Sequence, residues 1–200
     1  MPLLPSEPAV FPEDLLTQPE ENLPRGMSRW WVLHTKPRAE KSLARRLIAS
    51  RSPFFLPLYS RTWRSGRRMQ TSHLPLFPGY IFLLGDDQVR LMALQTNLVA
   101  STLWVEDQSE LHGDLVRVHE LIVSGAPLSP EERLEPGMRV EITSGPLTGL
   151  EGKVIRRGSR LQFYVEVNFL QRGASVQVEA WMMKPLDAAP ALVASANGRH

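Results

Sequence analysis

Five histidines are present, His34, His73, His112, His119 and His200, and none falls in an H-E-x-x-H or similar ligand spacing. His112 and His119 are two helical turns apart, too far in rise to share one metal without a third ligand. There is no cysteine, so neither a thiolate metal site nor a disulfide framework can form. No G-x-S-x-G, P-loop or G-x-G-x-x-G pattern occurs. Gly145, Gly149 and Gly152 lie between strand-like runs rather than between a strand and a helix, which argues against a phosphate cradle. No cofactor or metal and no catalytic residue is expected. The remaining chemistry is contact chemistry, carried by cations and aromatic rings.

The cations are unevenly distributed. From Arg29 to His73 the chain holds Arg29, Lys36, Arg38, Lys41, Arg45, Arg46, Arg51, Arg61, Arg64, Arg67 and Arg68, with Glu40 as the only acid. The net charge of +2 over 200 residues hides this. A one-sided basic stretch is the electrostatic footprint of a polyanion partner. The alternative is a solvated face neutralised in space by Asp86, Asp87 and Asp114.

The elements that must position these groups follow from periodicity. Trp30 to Thr35 is aromatic and β-branched and predicts a first strand. Pro37 suits a first helical turn, and Arg38 to Ser50 predicts a helix. Ala39, Leu43 and Leu47 form its apolar stripe and Arg38, Lys41 and Arg45 its basic one. Phe54 to Tyr59 predicts a second strand with an irregular position at Pro57. Thr62 to Ser72 predicts a hairpin tip around Ser65-Gly66-Arg67-Arg68. Pro78-Gly79 is turn punctuation, and Tyr80 to Leu84 predicts a central buried strand. By alternation Tyr80 and Phe82 share one face, Ile81 and Leu83 the other. Asp86-Asp87 caps a helix over 87–95, Val99 to Val105 predicts a strand, and His112 to Val123 an amphipathic helix. Together these make an α+β layer fold over 29–125.

Residues 1–28 are rich in proline and acid and predict a disordered tail, and 126–137 a proline-containing linker. Short strands follow at 139–142, 152–155, 161–167, 176–179 and 182–186, the pattern of a small closed barrel over 138–187. Residues 188–200 predict a loose tail. No apolar run reaches the roughly 18 residues of a membrane span, and the first residues lack the pattern of a secretory signal, so a cytoplasmic protein is expected. A monomer is expected as well.

Phe77-Pro78-Gly79-Tyr80-Ile81-Phe82 resembles the F-P-G-Y-[VIL] strand motif of the NusG family of transcription elongation factors. Further on, Gly145-Pro146-Leu147-Thr148-Gly149-Leu150-Glu151-Gly152-Lys153-Val154 resembles the KOW motif that follows the NusG amino-terminal domain. The resemblance covers roughly residues 29–186. It implies an antiparallel sheet flanked by helices, followed by an SH3-like KOW barrel. It also implies that the first domain binds the clamp helices of RNA polymerase, at Trp31, His34, Phe77, Pro78, Tyr80 and Phe82. The basic positions Lys36, Arg38, Lys41, Arg45 and Arg46, with Arg64, Arg67 and Arg68 at the hairpin, would approach non-template or upstream DNA. Pro146, Leu147, Thr148 and Gly149 would contact a ribosomal protein or a termination factor.

Pro75-Leu76-Phe77-Pro78 and the Arg64–Arg68 tip are similar to the RfaH-like branch, in which the second domain has a masked helical form. The strand formers Val140, Ile142, Val154, Ile155, Val165, Val167, Val176 and Val178 predict a barrel instead. The function implied is a transcription elongation or antitermination factor without catalysis. A ribosome-associated or free RNA-binding KOW protein is the alternative.

Overall fold

The structure is a computed structural model that describes residues 9–17, 29–66, 68–131, 137–157 and 160–186. Its first layer is a five-stranded antiparallel sheet in the order β1-β3-β6-β2-β7. These strands are β1 (Val10–Phe11), β2 (Arg29–Thr35), β3 (Phe54–Phe55), β6 (Tyr80–Gly85) and β7 (Val99–Leu103). The apolar run behind Pro78-Gly79 takes the central place expected of it, between β3 and β2. It pairs Trp31 with Leu83, Leu33 with Ile81 and His34 with Tyr80.

The period-two alternation of β2 and β6 decides which side chains meet which layer. Trp31, Leu33, Ile81 and Leu83 join Leu43, Ala44 and Leu47 of α1 (Glu40–Ala49) and Ala93 of α2 (Asp87–Gln95). Trp30, Val32, Phe82 and Leu84 join Leu111, Leu115, Val118 and Leu121 of α3 (Gln108–Val123). Both faces are therefore covered, and none of these residues is more than 6% exposed.

Helix boundaries follow their caps. Asp86 accepts the Val89 N–H at 2.9 Å, so α2 begins where the sequence predicts. Asp107 accepts the Glu110 N–H at 2.8 Å and starts α3 four residues before the expected His112. Arg38 has φ +59°, a left-handed conformation that no helix interior accepts, so α1 begins at Glu40 and not at Arg38.

The expected second strand divides at Pro57. Phe54–Phe55 stays in the sheet, and β4 (Leu58–Ser65) pairs with β5 (Arg68–Pro75) as a separate two-stranded ribbon. The hairpin is longer than the tip predicted. Residues 9–17 depart from the disordered tail expected over 1–28. β1 pairs with the β3 edge, and Leu15 and Leu16 are buried against the α3 side, so this stretch gains ladder bonds and apolar burial. The rest of that tail lies outside the described residues.

The second sheet is antiparallel in the order β13-β9-β10-β11-β12-β8. It comprises β8 (Ser129–Glu131), β9 (Met138–Ile142), β10 (Glu151–Arg157), β11 (Arg160–Val167), β12 (Arg172–Val178) and β13 (Met183–Pro185). β12 begins earlier than predicted, because Gln171 at φ +50° makes the turn and Arg172-Gly173 enter the strand. Ser129–Glu131, inside the stretch expected as a linker, pairs with β12. Val140, Ile142, Phe163, Val165, Val167, Ala174, Val176 and Val178 form this sheet's buried side. They are continuous with the cluster around α3, and β11 lies against that helix. Asp114 of α3 accepts the backbone N–H of Asn168 at 2.8 Å, tying the second sheet to the first layer.

Candidate functional site

The turn before β6 is built by its neighbours. Gly79 has φ +87°, where a Cβ would be strained and would touch the His34 ring at 3.4 Å. Its N–H donates to Glu40 Oε1 at 2.8 Å, and its carbonyl accepts from the Thr35 N–H at 2.8 Å. Glu40 is only 7% exposed. The one acid of the basic interval is thus used inside the fold, holding the start of α1 to the Pro78-Gly79 turn.

Three of the six positions expected to contact polymerase share one surface. His34 and Pro78 are exposed and Tyr80 is half-buried. The His34 and Tyr80 rings lie 5.3 Å apart, a consequence of their pairing in register. Arg172 of β12 places its guanidinium 5.4 Å from the Tyr80 ring centre. Such a cation–ring contact is worth about 0.5–1 kcal/mol where water reaches it.

The other three are enclosed. Phe77 and Phe82 are 1% and 0% exposed and pack edge to face at 6.1 Å, within the core that α3 covers. α3 buries Phe82 and Leu84 on the even-numbered side of β6 and leaves Tyr80, at the start of the strand, half-buried. Trp31 is 6% exposed, its indole N–H donates to the Gly85 carbonyl at 3.0 Å, and it points to the α1–α2 side. An odd position on β2 cannot join His34 on the even side, so Trp31 does not meet the other five.

The basic positions fare differently. Lys36, Arg38, Arg45 and Arg46 are exposed and Lys41 half-exposed, along the turn into α1 and its outer surface. Arg64 and Arg68 are exposed on the ribbon, and Arg67 lies outside the described residues. Among the described residues, Lys36, Arg38, Lys41, Arg46, Arg64 and Arg68 form no ion pair with a carboxylate. Lys36 donates instead to the amide oxygen of Asn97 at 2.7 Å. The acids that might have neutralised this face are engaged elsewhere: Asp86 caps α2, Asp87 pairs with Arg90, and Asp114 with Arg117. Among the described residues no carboxylate pairs with these six cations, and a polyanion can.

In the second sheet, Gly145 and Gly149 take φ +85° and +87°, bracketing a turn in which Thr148 N–H and Oγ1 both donate to the Gly145 carbonyl. Pro146, Thr148 and Gly149 are exposed. Leu147, expected at a partner contact, is 7% exposed and belongs to the core. Between exposed Pro146 and Thr148 the leucine side chain turns inward. This loop and Glu120, Val123 and Ser124 at the end of α3 line a cleft of about 550 Å³.

Sequence reasoning missed two features. Arg29 lies over Trp104 at 3.6 Å and beside Trp31 at 5.0 Å, with Arg90 on Trp31 at 4.9 Å, forming a ladder of alternating cations and rings. No spacing rule connects Arg29, Arg90 and Trp104, which come together only through β2, α2 and the end of β7. The second is the exposed Trp63 on the ribbon, whose signal was a tryptophan between arginines in a stretch without acid.

Two titrations are displaced by packing. Burial raises the Asp114 carboxyl above its ordinary value, opposed by the Asn168 N–H and Arg117. Burial lowers the His119 imidazole, whose ring stands edge-on to Phe55 at 5.9 Å. Among the described residues no group of three or more His, Asp and Glu side chains is arranged to hold a metal ion. No helix among them is long and apolar enough to cross a membrane.

No curated protein matches the chain. Residues 28–114 match the model of a family described as transcription termination factor NusG, a span that runs from β2 into α3 and contains the His34–Tyr80 surface, the basic turn and the ribbon. Over that span the chain is similar to this family of transcription factors.

Proposed function

We propose that this protein is a transcription elongation or antitermination factor that binds the clamp helices of RNA polymerase and catalyses no reaction. The observation that carries the reading is the coincidence of two surfaces within residues 28–114. One is the half-open ring pair of His34 and Tyr80 beside Pro78; the other is the set Lys36, Arg38, Lys41, Arg46, Arg64 and Arg68, which pair with no carboxylate among the described residues. Aromatic side chains bring large contact area with few rotamers to lose, so Tyr80 is the anchor. Phe77, Phe82 and Trp31 support that anchor from within. Phe77 and Phe82 would join the contact only if α3 and the second sheet move off the sheet face, and Trp31, on the α1–α2 side, would stay out of it even then.

The role of Lys36, Arg38, Lys41, Arg45, Arg46, Arg64, Arg67 and Arg68 is to hold non-template or upstream DNA by its phosphates. Such contacts give salt-dependent affinity with little sequence preference. The second sheet is a KOW barrel, whose exposed Pro146, Thr148 and Gly149 recruit a ribosomal protein or a termination factor. The protein works as a monomer in the cytoplasm.

The test is capture of purified RNA polymerase by the full chain. Wild type should retain it, and Tyr80→Ala should lose most of the binding with its melting curve nearly unchanged. Equal retention by Tyr80→Ala would refute the anchor, and no retention by wild type would refute the function.

A further inference from the structure

The ribbon β4–β5 belongs to neither large sheet, and its two faces differ in a way the family match does not address. Its register puts Ser60 opposite His73, Thr62 opposite Thr71 and Arg64 opposite Met69 on one face. Arg61, Trp63, Arg68, Gln70 and Ser72 share the other. On the first face the polar groups satisfy one another. Ser60 Oγ meets His73 Nδ1 at 3.2 Å, Thr62 meets Thr71 at 3.1 Å, and Arg64 Nε donates to the Gly66 carbonyl at 3.1 Å. On the second face the side chains of Arg61, Arg68 and Gln70 have no hydrogen-bond or ion-pair partner among the described residues. Trp63 lies in their midst, 40% exposed, with Gln70 directly across and Arg61 two residues away. No acid occurs between Glu40 and Asp86.

We infer that the Arg61–Trp63–Arg68–Gln70 face of the ribbon is a stacking platform for single-stranded DNA. The inference rests on the nucleic-acid role proposed above and assigns it a face and a strand state. The Trp63 indole offers a flat apolar surface on which any base can stack. Arg61 lies about 7 Å along the same strand, and Arg68 is a diagonal neighbour. Those separations suit consecutive phosphates, and the amide of Gln70 can donate to or accept from a base edge. Duplex DNA hides its ring faces inside the stack, so a lone exposed indole gains nothing from it. The strand state thus follows from the aromatic ring, and the polyanion from the unpaired arginines.

The experiment is fluorescence anisotropy of labelled oligonucleotides with the full chain: a 12-nucleotide DNA single strand, the RNA of the same sequence, and the blunt DNA duplex. The DNA single strand should bind tighter than the duplex. Trp63→Ala should weaken it about 5- to 150-fold, the range for losing one stacked base. Trp63→Phe should restore most of the affinity, because a smaller ring still stacks. Substituting Arg61 and Arg68 by Gln should reduce the slope of log affinity against log salt by about 1.4. Thr62→Ala, on the opposite face, should change nothing.

Equal or tighter binding of the duplex would overturn the inference. So would a Trp63→Ala effect within twofold, a Thr62→Ala effect as large as that of Trp63→Ala, or a tenfold preference for RNA. Melting curves identify any variant that loses its fold. Capture of polymerase without nucleic acid, measured on Trp63→Ala, separates this result from the function proposed above. That capture should match wild type, and a wild type that binds the single strand but no polymerase would sink the function and leave the platform standing.

Discussion

The attachment of the second sheet to α3 is tested by removing the Asp114 carboxylate. Asp114 is fully buried, accepts the Asn168 N–H at 2.8 Å and pairs with Arg117 one turn on. In Asp114→Ala the Asn168 N–H loses its acceptor, which costs about 1–3 kcal/mol for a buried donor. Asn168 is itself exposed, so water replaces part of the bond and the lower half of that range applies. Arg117 is 39% exposed and can turn to solvent, and deleting the carboxylate relieves a desolvated charge, so the lost ion pair adds little. The net expectation is a loss of about 1–2 kcal/mol. With a urea slope of about 2 kcal/mol/M the unfolding midpoint falls by about 0.5–1 M.

Asp114→Asn keeps an acceptor oxygen and sheds the charge, so it should stay within about 0.5 kcal/mol of wild type at neutral pH. Its pH dependence should differ. The folded carboxyl titrates above its ordinary 3.8, so the folded state binds the proton more readily. Wild-type stability therefore declines as pH rises from that value to the folded one, and the Asn variant lacks this decline. The assay is urea unfolding of the full chain at several pH values, with hydrogen exchange of the Asn168 amide. An unchanged midpoint and unchanged Asn168 exchange in Asp114→Ala would refute the claim that this carboxylate ties the layers together.

Phe82→Ala should cost about 3–5 kcal/mol, as expected of a fully enclosed ring, and Tyr80→Ala far less; comparable losses in thermal melts would contradict the core and surface assignments. His119 titrates below its ordinary 6.5 in the folded state, so its contribution is complete above that pH and is lost as pH falls toward the folded value. His119→Gln should flatten stability against pH on that acidic side, and an unchanged slope would count against burial as the cause. Gly173→Ala would set a Cβ 2.2 Å from the Val165 carbonyl, a backbone atom with little room to yield. A loss of about 1–3 kcal/mol, a fall in Tm of several degrees, should follow. A variant as stable as wild type would show that β11 and β12 are not packed so closely.

The residues themselves determined the secondary structure and the character of the surface. Period-two apolar runs and the Pro78-Gly79 turn placed β2 and β6, and Asp86 placed the start of α2, because these signals act through bonds and packing a few residues away. The absence of acids between Glu40 and Asp86 carries the polyanion reading in the sequence alone. Tertiary structure decided which rings remain reachable. Alternation says that Tyr80 and Phe82 share a face, but only the path of α3 shows that one is half-open and the other sealed. It also took Trp31 to the opposite side of the sheet and turned Leu147 inward. Glu40 became an internal clamp on Gly79, and Trp63 emerged beside Arg61 and Arg68, which pair with no carboxylate among the described residues. Exposure of a ring depends on what folds over it from more than twenty residues away, and no local pattern carries that information.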